Sequence, residues 1–435
     1  MNGAIIGAVL IFAFTYYGII SKKIHRTIAA MGGAVGMIFW GIAFSFYTAE
    51  DAIRYIDFNT IGLLLGMMIL VGILGETGVF RYLAIKTAKF SKGSYYRLLA
   101  LFVLVTAFTS AFLDNVTTVL LMAPITITIA KELEINPVPF LISEILSSNI
   151  GGTMTLIGDP PNIMIGSAGN IHFAQFILYL APIVIIVLLA VLLIFEFLFK
   201  DIIDKEMENF DKIAAMDEKE SITNWPLLYK SSFALLLTLC LFTVHHILNL
   251  EPWLVAVFGA SLLLILSLPD PETAMEHVQW TTLLFFAGLF IVIGGLEHAG
   301  LIHWIAIEIE ALSGGSLVIA LFLVLMISGG FAMAVGNIPA AIILVSVVSV
   351  FTSNTTIGAG YPINPLWWAL SLGACFGGNG TLISAPGNII VSNISSKMGY
   401  PLSFRKFTKY SLPITIFSLF LSFALLWLFY VVLLG

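Results

Sequence analysis

Charge is what this sequence has least of. Only 10% of its 435 residues are Asp, Glu, Lys or Arg, against 59% that are hydrophobic. A water-soluble domain carries roughly 25% charged residues, so this chain could not cover its own surface in water. That excludes a soluble enzyme, and without a basic run there is no face for a nucleic acid. Cysteine is almost absent as well. Cys240 and Cys375 lie far apart in apolar segments and make no disulfide or metal framework. Nor does a basic residue precede the first apolar run, Gly3 to Ile20; Lys22, Lys23 and Arg26 follow it instead. That order is wrong for a cleaved signal peptide and fits a retained span.

What the sequence has is apolar runs of membrane length. Ten crossing segments are predicted, at 3–21, 28–47, 59–78, 138–168, 174–199, 229–248, 252–268, 280–298, 366–394 and 410–434. Two further stretches, 97–132 and 316–351, are too long for one crossing: at 1.5 Å per residue they would make helices of ~54 Å against a hydrocarbon core of ~30 Å. Each has a polar midpoint, Asp114-Asn115 and Gly336-Asn337. Both are expected as re-entrant hairpins with tips at membrane depth, two short full spans being the alternative. With the N-terminus outside, eighteen of the nineteen Lys and Arg residues fall on the inner side, Arg54 being the exception. This satisfies the positive-inside rule and predicts a multi-pass protein of the plasma (inner) membrane with both termini outside. The expected organisation is N-terminal transmembrane helices (1–58), a first repeat (59–199), a solvated cytoplasmic linker (200–228), connecting transmembrane helices (229–279) and a second repeat (280–435).

The repeat is the strongest feature. Gly66, Gly72, Leu74, Gly78, Ala84, Ser94 and Asn115 match Gly288, Gly294, Leu296, Gly300, Ala306, Ser316 and Asn337 at a constant offset of 222. Further on the offset becomes 226, pairing Gly151, Gly152, Thr155, Leu156, Ile157, Pro160 and Asn162 with Gly377, Gly378, Thr381, Leu382, Ile383, Pro386 and Asn388. In the expected topology residue 66 runs inward and residue 288 outward. The fold class is therefore an all-α polytopic membrane protein of inverted repeats, with two re-entrant hairpins and two broken helices, as in secondary transporters.

Paired glycines and prolines break the two spans 138–168 and 366–394. At membrane depth, freed backbone groups survive only inside protein or beside a wet cavity. There, open carbonyls can hold a cation and open N–H groups an anion. A kinked helix packed on a neighbour is the bland alternative. Asp114 and Asp159 are sharper signals, because a carboxylate in the bilayer costs ~2.5–3.5 kcal/mol on insertion scales. Their repeat mates are Gly336 and Ala385, so the backbone pattern is kept while the charge is not. A cation or proton coupling site is expected from Asp114, Asn115, Thr117, Thr118, Gly151, Gly152, Thr153, Thr155, Asp159 and Asn162. A second, substrate site is expected from Asn337, Gly377, Gly378, Asn379, Thr381 and Asn388. Glu144 reads as a residue at the inner end of a span, for which a solvated or capping role and a transport role stand equally open. Glu76, Glu297 and His298 read as interface residues. No Lys or Arg is expected at midplane depth.

At these residues the chain resembles the ion transporter superfamily, in particular the arsenite permease and NhaD-type sodium/proton antiporter group. Phe112-Leu113-Asp114-Asn115-Val116-Thr117-Thr118, Asn149-Ile150-Gly151-Gly152 and Gly158-Asp159-Pro160-Pro161-Asn162 closely resemble the pink-eyed dilution (P) protein branch. The resemblance implies an elevator-type fold with a scaffold and a mobile transport domain, a homodimer, and cation-coupled anion transport or sodium/proton exchange. It implies no cofactor beyond bound sodium, and a small inorganic or organic ion as substrate. Sodium/dicarboxylate and citrate carriers share the architecture but typically carry Ser-Asn-Thr at the tips. Here the tips read Asp-Asn-Val-Thr and Gly-Asn-Ile-Pro, which sets a dicarboxylate substrate behind the others. An arsenite or anion efflux permease and a channel are competing readings. An intramembrane aspartyl protease is remote, because Leu156-Ile157-Gly158-Asp159 lacks the Gly-x-Gly-Asp pattern and such an enzyme has no use for the repeat.

Overall fold

The computed structural model describes residues 3–21, 23–200 and 209–433; Lys22, Lys205 and the opening of the linker lie outside the described residues. Among the described residues there is no strand, and ten helices are long and apolar enough to cross a bilayer. The first half runs α1 (Gly3–Ser21), α2 (Arg26–Ala43), α3 (Ala49–Arg54), α4 (Phe58–Glu76), α5 (Val79–Phe90), α6 (Tyr95–Phe112), α7 (Asn115–Glu132), α8 (Val138–Gly152), α9 (Pro160–Gly169), α10 (Phe173–Tyr179) and α11 (Ala181–Leu198). A short α12 (Phe210–Ala214) follows in the linker. The second half repeats the order with α13 (Trp225–Val244), α14 (Pro252–Ser267), α15 (Pro271–Glu276), α16 (Trp280–His298), α17 (Leu301–Ser313), α18 (Leu317–Val335), α19 (Asn337–Asn354), α20 (Leu366–Gly377), α21 (Pro386–Lys397) and α22 (Phe404–Trp427). In the first half α1, α2, α4, the α8–α9 pair and α11 cross, and the α6–α7 hairpin adds none or two. An odd number of crossings starts the second half from the other side, so the copies are inverted.

The interruptions fall where the sequence puts its helix breakers. Gly151 and Gly152 end α8, and Pro160 and Pro161 open α9 at the positions where a missing N–H costs nothing. Gly377 ends α20 and Pro386 opens α21. Extended backbone at Leu113 and Asp114 turns α6 into α7. Each tip then docks on the break of its own half. Asn115 N–H donates to Gly158 O at 3.1 Å and Asn337 N–H to Ser384 O at 2.8 Å. Because each break divides a crossing helix, the tips lie partway through the bilayer. All residues of α8 and of α20 are buried, so the broken helices form the centre of the molecule. By contrast α1, α2 and α13 are mostly unburied and suited to face lipid. Packing of small residues, more than hydrophobic transfer, joins helices in such an environment.

The structure extends the repeat beyond the boundaries expected. Residues 1–58 and 229–279 are not separate adjuncts: α1 to α3 correspond to α13 to α15. The halves also interlock. Helix α2 packs on α16 and α14 packs on α4. A Cβ on Gly66 would lie 2.5 Å from the Ala256 carbonyl carbon, and one on Gly288 would lie 2.9 Å from that of Ala30. Residues 66 and 288, and 30 and 256, are repeat mates, so each half completes the other by the same contact. Span 174–199 is divided at Leu180, whereas its counterpart α22 runs on through Pro413. The linker, expected to be solvated, is docked in its described part. Ile213 and Ile222 are buried, and Thr223 donates to Thr77 O (3.0 Å) and Glu76 O (2.8 Å). Lys89 Nζ lies 2.6 Å from Glu218 Oε2 and holds that carboxyl below its ordinary range.

Candidate ion-coupling site

The two hairpin tips and two helix breaks meet at the centre of the molecule, joined by asparagines. Asn149, on the last turn of α8, receives Asn115 Nδ2 on its Oδ1 at 2.9 Å. Its own Nδ2 reaches Asn379 Oδ1 at 2.8 Å and Asn388 Oδ1 at 3.2 Å. Asn379 Nδ2 returns to Leu146 O at 3.2 Å. From the other tip, Asn337 Nδ2 donates to Asp159 Oδ1 at 3.2 Å while Asn337 Oδ1 accepts Ile338 N–H at 2.9 Å. Every residue in this set is at most 2% exposed. The sequence-predicted coupling and substrate residues are thereby brought into one constellation and not two.

Within it, the residues divide by what their polar atoms do. Asn162 Nδ2 bonds Thr155 O (2.8 Å) and Thr153 O (3.1 Å), and its Oδ1 accepts Ser371 Oγ (2.6 Å). Asn388 Nδ2 bonds Gly378 O (2.8 Å) and Thr381 O (3.0 Å) in the matching place. Both asparagines therefore clamp the carbonyls that their break exposes. The Thr155 and Thr381 hydroxyls donate to Ala111 O and Met333 O, again repeat mates, and Thr153 Oγ1 donates to Asn149 O at 2.8 Å. Gly151 and Gly377 let the broken helices touch the hairpins. A Cβ on Gly151 would lie 2.2 Å from Ala107 O, and one on Gly377 would lie 2.5 Å from Gly329 O. Asp114 caps α7, accepting Thr117 N–H on Oδ1 at 2.8 Å and the Thr117 hydroxyl on Oδ2.

Three oxygens are left over. Asp159 Oδ2, Asn115 Oδ1 and Thr118 Oγ1 are buried and have no hydrogen-bond partner among the described residues. Asn115 and Asp159 flank the docked contact between the first tip and the break, where Asn115 N–H bonds the carbonyl of Gly158, and Thr118 follows Asn115 by three residues on α7. Asp159 opens α9 without capping it, so its carboxylate is not held by its own helix as that of Asp114 is. Buried oxygens without a donor are rare in folded proteins. A carboxylate, an amide oxygen and a hydroxyl form a hard-oxygen set suited to a small cation such as sodium. Among the described residues no three His, Cys, Asp or Glu side chains gather as for a transition metal.

Two cavities flank this centre, and they are repeat mates. One, of about 330 Å³, lies between the α13–α14 loop and α9, lined by His172, His245, His246, Glu251, Leu156 and Ile163. The other, of about 480 Å³, lies between the α1–α2 loop and α21, lined by His25, Arg26, Asn337, Ser384, Ile389 and Asn393. Only the second reaches a hairpin tip. Its charged group is Arg26, which the sequence reading placed in a loop. Arg26 stacks on Phe285 at 5.3 Å, bonds Thr282 Oγ1 at 3.4 Å, and among the described residues pairs with no carboxylate. Sequence matching also missed Asn149, whose repeat mate is Cys375, and Ser384, whose mate is Gly158. The interface residues pair in matched fashion. His277 Nε2 lies 2.9 Å from Glu76 Oε1, and Tyr55 meets the ring of His298 at 5.7 Å.

Comparison with known proteins agrees with this architecture. Residues 16–373 match the model of the CitMHS family, described as citrate transporters. An uncharacterized transporter of Mycobacterium tuberculosis is 40% identical over 430 residues, 98% of this chain and 99% of that one. The human P protein is 30% identical over 489 aligned positions, covering 94% of this chain and 58% of that protein. Among solved structures, the YdaH transporter of Alcanivorax borkumensis, reported as having an unusual topology, superposes with a TM-score of 0.60 at 14% identity, covering 90% of this chain and 89% of that one. MtrF of Neisseria gonorrhoeae, reported as one of a class of antimetabolite efflux pumps, gives a TM-score of 0.60 at 10% identity, covering 89% and 84%. The inverted halves, the paired hairpins and the extent of these matches together make the chain a membrane transporter that belongs to the CitMHS citrate transporter family of the ion transporter superfamily.

Proposed function

We propose that the protein is a secondary active transporter that moves a small ion coupled to sodium or protons, with the coupling cation seated at Asp159. The observation that carries this reading is the set of three buried, unpartnered oxygens, Asp159 Oδ2, Asn115 Oδ1 and Thr118 Oγ1, at the contact of the first tip with its break. A cation there would supply the positive charge that Asp159 lacks. It would also tie the tip to the broken helix, making ion occupancy and hairpin position one equilibrium. Asn337, bonded to the other oxygen of Asp159, would carry the state of the site to the second tip.

The two cavities support an alternating mechanism of elevator type. One vestibule reaches its tip and its repeat mate does not, as expected if the halves exchange roles. On the orientation set by Lys and Arg placement, the vestibule that reaches its tip lies on the cytoplasmic side of the plasma membrane, with both termini outside. A homodimer with a static interface would suit this motion. Sodium/proton antiport and cation-coupled anion transport both fit the cation site. Arg26, without a carboxylate partner among the described residues in the cavity that reaches the second tip, favours the anion version, and citrate is the anion that the family's description suggests.

The test is flux in proteoliposomes under imposed sodium and pH gradients, with citrate inside or out. Asp159→Asn should abolish gradient-driven flux and leave the protein folded. Asp114→Asn, which alters a helix cap, should weaken flux and lower thermal stability. If Asp159→Asn transports as the parent does, the coupling assignment is wrong.

A further inference from the structure

One buried acid lies outside the constellation. Glu144, for which the sequence left a solvated end and a transport role equally open, is 1% exposed in the middle of α8. Its Oε1 accepts Thr126 Oγ1 at 2.6 Å, and its Oε2 has no partner among the described residues. The helices packed against α8 carry their charged groups at exposed positions near their ends: Arg97 on α6, Lys131 and Glu132 on α7, Glu196 on α11, Lys397 on α21, and Arg405, Lys406 and Lys409 on α22. Among the described residues none of them forms a salt bridge with Glu144, whose carboxyl has Thr126 as its one hydrogen-bond partner. An ionised carboxylate so placed has no compensating charge, which is strongly unfavourable.

The inverted repeat supplies a control within the same molecule. At the offsets of 222 and 226, the mates of Thr118, Thr126, Glu144 and Ser148 are Ala340, Val348, Leu370 and Ala374. The second hairpin packs on its broken helix through α19 and α20 with these apolar side chains, and all four are buried. The fold at this interface therefore has no need of a polar pair. In the first half the polar side chains form a file toward the site. Ser148, one turn or about 6 Å beyond Glu144, bridges Ser110 Oγ at 3.2 Å and Asn115 O at 3.1 Å. Beyond it lie Asn115 and Thr118, which hold two of the three unpartnered oxygens.

We propose that Glu144 is a proton-binding residue of the transport cycle, carrying one proton on the carboxyl oxygen that has no partner and exchanging it with water when the first hairpin moves. The carboxyl gains and loses only this proton. The idea rests on the carrier reading for its consequence but not for its first test. Difference infrared spectra between the parent and Glu144→Gln at neutral pH should show the carbonyl band of a protonated carboxyl, sensitive to deuteration. Its absence would overturn the proposal. In proteoliposomes holding a trapped pH dye, pulses of sodium or citrate should move protons in the parent. Glu144→Gln, which can still accept from Thr126, should lose that movement while keeping exchange across equal pH. Glu144→Leu, which copies the second half, should remain folded and behave alike. Proton movement unchanged in either variant would refute the role. Silence of the parent to both pulses would speak against the carrier reading, leaving the infrared band to decide Glu144.

Discussion

Gly151→Ala probes the contact on which the site depends. The added Cβ would lie 2.2 Å from Ala107 O and 2.5 Å from Ala107 Cα, both backbone atoms of α6. An ordinary contact begins at 3.4 Å, so α8 must withdraw by about 1.2 Å (3.4 − 2.2) or α6 must bend. Asn149 sits two residues before Gly151, and its bonds of 2.8 and 3.2 Å to Asn379 and Asn388 would be stretched out of range by a shift of that size. Overpacking of a dense core costs about 1–3 kcal/mol and each of the two lost hydrogen bonds about 1 kcal/mol, so a total of roughly 3–5 kcal/mol is expected. Gly330→Ala on α18 is the control, since nothing lies within 4 Å of a Cβ there. Thermal unfolding in detergent, read by tryptophan fluorescence and by the monodisperse fraction after heating, should show a clear drop for Gly151→Ala and none for Gly330→Ala. Equal stability of the two variants would refute the view that the hairpin and broken helix are locked by backbone contact.

Asn162→Ala strips the donor from the carbonyls of Thr155 and Thr153, and each buried carbonyl left unpaired costs about 1–3 kcal/mol; loss of the folded fraction on size exclusion is expected, with Asn162→Asp no rescue. His172 stacks on His246 at 3.7 Å in the smaller vestibule, and partial burial followed by the neighbouring His246 and His245 holds its imidazole below the ordinary range. A lowered folded value makes the contact stabilising while the ring is neutral, so stability should be fully present above the ordinary histidine range and lost as pH falls through the lowered one. Thermal midpoints measured against pH should show this slope in the parent and lose it in His172→Gln. Asp57 caps α4, accepting Asn59 N–H at 3.0 Å and Thr60 Oγ1 at 2.6 Å. Asp57→Ala should cost about 1 kcal/mol, measurable as a small fall in the thermal midpoint with flux retained.

Much of the fold was legible because lipid imposes simple rules. Apolar length marked the spans, and Gly-Gly with Pro-Pro marked the breaks between α8 and α9 and between α20 and α21. The tips at Asp114 and Asn337 were legible because an over-long apolar stretch with a polar centre must turn. Partnerships were not legible. Nothing in the sequence says that Asn162 and Asn388 spend their amides on their own breaks while Asn115 and Asp159 keep an oxygen free, since that depends on atoms brought together over tens of positions. The correspondence of α2 with α14 was hidden because it rests on small residues such as Ala30 and Ala256, which carry little signal in a chain rich in alanine. Glu144 stayed open between a helix end and the interior because a sequence gives the register of a helix against the bilayer only to within a turn. Arg26 was missed because a position next to a span end says nothing of which way a long side chain points.

The interlock of α2 with α16 and of α14 with α4 has a consequence for how the chain can be made. Neither half encloses its own groove, so a fragment ending at Lys200 would expose the face of α4 around Gly66, and the remainder would expose the face of α16 around Gly288. Severing the polypeptide in the linker should thus be tolerated only when both pieces are synthesised together in one cell, each supplying the wedge that the other lacks.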